Sequence, residues 1–125
     1  MVRLLPALVL TAAALLAAPA AADDHWDSGI RGVVYLGPTC PVERQGESCY
    51  TTYSTAIRIR ALPERTLVKT IHSGRRGRFR TDLPPGRYHL KPQADGGAMY
   101  CRARDVTVEP GRFKTVDLDC DTGIR

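Results

Sequence analysis

Four cysteines are the most reactive side chains in this chain of 125 residues, and they fall into two groups, Cys40 with Cys49 and Cys101 with Cys120. The first two bracket the polar loop GPTCPVERQGESC. A zinc site would use C-x2-C spacing or histidines set as ligands, and a thioredoxin-like redox centre would open a helix with C-x-x-C. Neither context surrounds Cys40 and Cys49. Eight intervening residues, Gly46 among them, let the loop fold back until the two Cα atoms come within the ~4.4–6.8 Å usual for a disulfide. Folding the C-terminal segment about Pro110-Gly111 sets Cys101 opposite Cys120. That register splits Val106 and Val108 from Val116 and Leu118, and a bulge near Phe113 or Lys114 would restore one apolar face while moving the cysteines one step apart. They stay neighbours either way. Bridges 40 to 49 and 101 to 120 are therefore expected ahead of the other two connectivities, each contributing roughly 2.5–3.5 kcal/mol by chain entropy.

Histidine and arginine supply the remaining candidates. His72 and His89 fall on the outward parity of their strands and read as exposed. His25 is different: cleavage after Ala22 would leave Asp23-Asp24-His25 at the N-terminus, an amine, two amides and an imidazole that suit Cu(II) or Ni(II). No resident metal and no cofactor are otherwise expected. Arg58 and Arg60 share the solvent face of one strand, Arg78 and Arg80 that of another, and Arg75 and Arg76 stand in the turn before it. If the strands belong to one sheet, the four form a basic face able to grip carboxylate or phosphate in bidentate fashion. The plainer reading is a solvated outer face. There is no G-x-S-x-G, no H-E-x-x-H and no phosphate-binding glycine loop, so a non-enzyme is expected. RRGRFR does not fit RNA-recognition patterns, which makes an unidentified protein or an anionic envelope polymer a better partner than nucleic acid.

The elements that position these residues begin after residue 22. Residues 1–22 have Arg3, an apolar run and small residues at Ala20 and Ala22, the form of a cleaved secretory signal peptide. The run is interrupted by Pro6 and Pro19 and is too short to span a membrane. Secretion or a periplasmic location follows, an oxidising space where cysteines pair. Cleavage removes Arg3 alone among the charged residues and takes the formal net charge from +5 to +4, mild for a nucleic-acid binder. No asparagine is present, which excludes N-glycosylation.

Alternating hydrophobicity marks strands at residues 29–36, 53–62, 67–72, 78–83, 87–92, 102–108 and 113–120, separated by Gly- and Pro-rich turns. Residues 23–28 read as a flexible leader and 29–125 as one domain. Seven short strands imply an all-β, seven-stranded antiparallel β-sandwich with a disulfide-stabilised core.

Several motifs then stand together: Gly29-Ile30-x-Gly32-x-Val34, Gly37-Pro38-Thr39-Cys40-Pro41-Val42, Gly77-x-Phe79, Leu83-Pro84-Pro85-Gly86-x-Tyr88-x-Leu90, Val106-x-Val108-x-Pro110-Gly111 and the terminal Asp121-Thr122-Gly123-Ile124-Arg125. With these the chain resembles bacterial carboxypeptidase regulatory-like domains over nearly its whole length beyond residue 28. The resemblance implies the prealbumin-like (transthyretin-like) sandwich, shared with collagen-binding B-type repeats, and a non-catalytic binding or structural module of unknown ligand. Two features depart from that family. The Lys-to-Asn isopeptide bond of the adhesin repeats is impossible without asparagine, leaving Lys69, Lys91 and Lys114 only a Lys-to-Asp version. The pair Cys101 and Cys120 reads as an addition particular to this chain.

Overall fold

Residues 25–40 and 48–124 are described by the computed structural model of the chain, and they contain strands and turns but no helix. The expected signal peptide, Asp23, Asp24 and residues 41–47 of the first cysteine loop lie outside them. β1 (Gly29–Gly37) is the central strand of the first sheet, with Ile30, Val34 and Leu36 packed into the core and Arg31 and Tyr35 exposed, the period-2 pattern of a strand with one buried face. Along one side it pairs antiparallel with β2 (Thr51–Thr52) and with β5 (Arg78–Asp82). Along the other it runs parallel to β9 (Phe113–Thr115) and β10 (Leu118–Asp121). β7 (Tyr100–Cys101), antiparallel to β10, completes six strands.

The second sheet is antiparallel throughout, in the order β4 (Thr66–His72), β3 (Ala56–Ala61), β6 (Gly86–Pro92) and β8 (Arg104–Val108). Between the sheets lies one core, to which the first contributes Ile30, Val34, Phe79 and Leu118 and the second Ile57, Ile59, Tyr88, Leu90, Val106 and Val108. Each fully buried aliphatic side chain stabilises the fold by about 1.5–3 kcal/mol relative to exposure. This is the all-β, two-sheet arrangement expected of a sandwich.

Three expectations are corrected in detail. The described residues form ten strand segments where seven were expected: the strand expected at 113–120 is broken at residues 116–117 into β9 and β10, and β2 and β7 are short extra segments just before the strands expected at 53–62 and 102–108. The chain changes sheet at residues 53–55, from β2 to β3, and at residues 102–103, from β7 to β8. The first crossing leaves backbone groups without a ladder, and buried Ser73 supplies them: its Oγ accepts the Thr55 N–H at 2.8 Å and donates to the Tyr53 carbonyl at 2.8 Å. Second, the first sheet is mixed, since β1 has parallel neighbours in β9 and β10. Third, no bulge displaces the C-terminal cysteines. Cys101 lies directly opposite Cys120. Val106 and Val108 reach the core from one sheet while Val116 and Leu118 reach it from the other, so the conflict of faces disappears.

Both disulfides form as expected, Cys40–Cys49 with Cα atoms 5.4 Å apart and Cys101–Cys120 with 4.0 Å. They fit an oxidising extracellular or periplasmic setting. Part of the expected leader is bonded to the first sheet. Ser28 is buried and its Oγ donates to the Leu83 carbonyl at 2.7 Å, and the Trp26 N–H donates to the Asp82 carboxylate at 3.0 Å. That bond, helped by Lys69 and His25, holds the Asp82 carboxyl below the ordinary carboxylate range. Lys69 also ties the sheets together along one edge, its amine donating from β4 to Thr81 Oγ1 and to the Asp82 carbonyl, each at 3.1 Å.

Candidate functional site

The core claims Ile57 and Ile59 from β3, and alternation therefore sends Arg58 and Arg60 to the outer face of the four-stranded sheet. β6 obeys the same rule. With Tyr88, Leu90 and Pro92 buried, Arg87, His89 and Lys91 face out. The β3–β6 register then sets Arg58 directly opposite Lys91 and Arg60 directly opposite His89. Arg65, held at a φ of 62° in the turn after β3, and Gln93 close the two ends of a shallow depression of about 410 Å³.

Within it the basic groups are only partly compensated. His89 Nδ1 lies 2.7 Å from the Asp105 carboxylate on β8, and His89 is half-buried where an exposed ring was expected. Lys91 donates to the Cys101 carbonyl. Arg60 Nη1 donates to the Arg65 carbonyl at 3.3 Å. Among the described residues, no carboxylate forms an ion pair with Arg58, Arg60 or Arg65. Like charges directly opposite one another weaken a sheet. An anion bridging the two strands removes that penalty and meets two guanidinium forks.

Arg78 and Arg80 do not join this face. The turn at residues 73–77 carries the chain from one sheet to the other: β4 pairs with β3, whereas β5 pairs with β1. The two arginine pairs consequently occupy opposite outer faces, and the single four-arginine surface is corrected to two patches. On the second, Arg80 lies opposite Arg31 and stacks over the Phe113 ring at 3.9 Å. Arg31 Nε donates to Thr115 Oγ1 at 3.2 Å.

Lys91, His89 and Arg65 are members of the site that the sequence reading missed. The parity of β6 was readable and put His89 and Lys91 outward, but nothing local identifies β6 as the neighbour of β3. His72 is exposed, and His25 Nδ1 lies 3.9 Å from the Asp82 carboxylate. The Asp23-Asp24 part of the copper or nickel motif is outside the described residues, among which no three metal-capable side chains gather.

Fold and site together define an all-β, two-sheet, disulfide-linked protein with a cationic face on its four-stranded sheet. No family model matches the chain, and no curated protein matches it.

Proposed function

We propose that the chain is an exported, non-catalytic binding module that holds an anionic envelope polymer against the outer face of β3 and β6. The carrying observation is the facing of Arg58 with Lys91 and of Arg60 with His89, with Arg65 beside them and no carboxylate paired to the three arginines among the described residues. Such a row recognises carboxylate or phosphate repeats by charge and by bidentate hydrogen bonds. The finer fold assignment, a prealbumin-like sandwich of the carboxypeptidase regulatory-like kind, is part of the same reading. Its support is the run of motifs from Gly29 to Arg125 together with the two-sheet core.

Retention of the disulfide-bonded protein on immobilised heparin, used as a carboxylated and sulfated polyanion, tests the reading. Arg58→Ser/Arg60→Ser should elute at lower salt, with the salt slope reduced by about two. Arg78→Ser/Arg80→Ser removes the same charge from the other sheet and should elute close to wild type. Equal losses from both pairs would reduce the binding to net charge and reject the site.

A further inference from the structure

The outer face of the six-stranded sheet carries a second cleft, built from different chemistry and lined by none of the residues that line the cationic depression. At its floor is Gly37, where any Cβ would overlap the Tyr50 ring. The missing side chain lets that ring lie directly against the backbone of β1. Next along the strand, the burial of Val34, Leu118 and Cys120 turns Tyr35 and Asp119 outward as direct cross-strand neighbours. β7 extends the row. Tyr100 stands opposite Asp121, and the Arg102 N–H donates to the Asp119 carbonyl at 3.0 Å. Arg102, which lines the cleft, donates its Nε–H to the Tyr100 hydroxyl at 3.1 Å, a bond that orients the guanidinium and leaves its other N–H groups for a ligand.

The space enclosed is about 360 Å³, within the range of small-ligand clefts, ~300–1,000 Å³. Tyr35 and Tyr50, which line it, are among the large hydrophobic side chains exposed on the molecule. Rings with one apolar face and one polar tip suit a ligand of the same double character.

The lining selects against the simpler ligand classes. An organic cation would find the tyrosines, Asp119 and Asp121 but be repelled by Arg102, and an anion would meet Arg102 but be repelled by both carboxylates, of which Asp121 already accepts the Gly123 N–H at 2.8 Å. A purely apolar ligand would strand these charges without water. A neutral ring that carries hydroxyls around its rim and bare C–H bonds on its face satisfies every wall. Its hydroxyls donate to the Asp119 carboxylate and accept from Arg102, while its C–H face lies on tyrosine. We propose that this cleft is a saccharide subsite that takes one or two pyranose rings of a neutral glycan.

Amide chemical-shift mapping of the disulfide-bonded protein tests it, with hexasaccharides of α-linked glucose, β-linked glucose, N-acetylglucosamine and mannose as probes. At least one should produce saturable shifts centred on Tyr35, Tyr50, Arg102 and Asp119, with a Kd of about 1 mM or tighter. Tyr50→Ala and Asp119→Asn should each weaken it about tenfold, a loss of ~1.4 kcal/mol. Unchanged resonances of Ile30 and Leu90 in both variants would certify that the core is intact. The proposal is overturned if none of the four sugars shifts those residues, if the shifts survive both substitutions, or if heparin occupies the cleft more tightly than any sugar.

Discussion

Gly32 shows how much of this fold can depend on one absent side chain. A Cβ at Gly32 would overlap the Val116 carbonyl oxygen and touch the Phe79 ring. β9 and β10 break at residues 116–117, where the Val116 carbonyl is directed at Gly32 and the Val33 N–H is left to the Asp117 carboxylate at 3.1 Å. Gly32→Ala forces the two segments apart in a packed interior, an overpacking strain of about 1–3 kcal/mol. The urea midpoint should fall with the slope unchanged, and a midpoint equal to wild type would show that the carbonyl can turn away freely. The inward set Ile30, Val34, Ile57, Ile59, Tyr88 and Leu90 was legible in the sequence because strand parity is a local property. The need for glycine at position 32 was not, since the group that fills its space comes from a segment 84 positions away.

At the level of elements, periodicity located strands well and assigned them to sheets poorly. Residues 53–62 and 102–108 read as strands and contain β3 and β8, yet the segments just before them, β2 and β7, belong to the other sheet, and the first crossing is held by a buried serine hydroxyl that looks like turn composition. The same limit decided how much of the cationic site could be foreseen. Arg58 and Arg60 share a strand and were found together, whereas Lys91 and His89 join them only through a strand pairing, and Arg78 and Arg80 leave through another. β7 is the most dependent element, with two residue pairs against β10, one of them the disulfide pair itself. Cys101→Ala/Cys120→Ala should cost about 3 kcal/mol by the chain-entropy account of a loop of this length. Hydrogen exchange should speed up at Tyr100, Cys101 and Arg102 but remain slow in β8, whose ladder to β6 is separate. Protection of β7 equal to wild type in the double variant would mean that backbone pairing alone secures it.

Over the whole molecule, a formal net charge of +5 is too modest to explain selective binding by attraction alone, so the distribution of charge matters more than its sum. The two candidate sites sit on the outer faces of different sheets and approach each other at the β7–β8 crossing, where Lys91 donates to the Cys101 carbonyl and lies 5.9 Å from the centre of the Tyr100 ring. Packed sheets are separated by about 10 Å, and screening in ~0.15 M salt falls off over about 8 Å. Charge on Arg58 and Arg60 is therefore felt weakly at Tyr35 and Asp119, which take no part in that crossing. The sites should act independently. Saturating the protein with a short heparin fragment should shift the amides of Arg58, Arg60, His89 and Lys91, leave those of Tyr35, Tyr50 and Asp119 in place, and change the Kd of a cleft-bound hexasaccharide by less than about twofold, which is under ~0.4 kcal/mol of coupling. A tenfold change in either direction would join the two faces into one extended site and replace two separate ligands with a single charged glycan wrapped around the edge of the sheets. Independence would make the molecule a bridge, able to hold an anionic polymer on one face and a neutral glycan on the other.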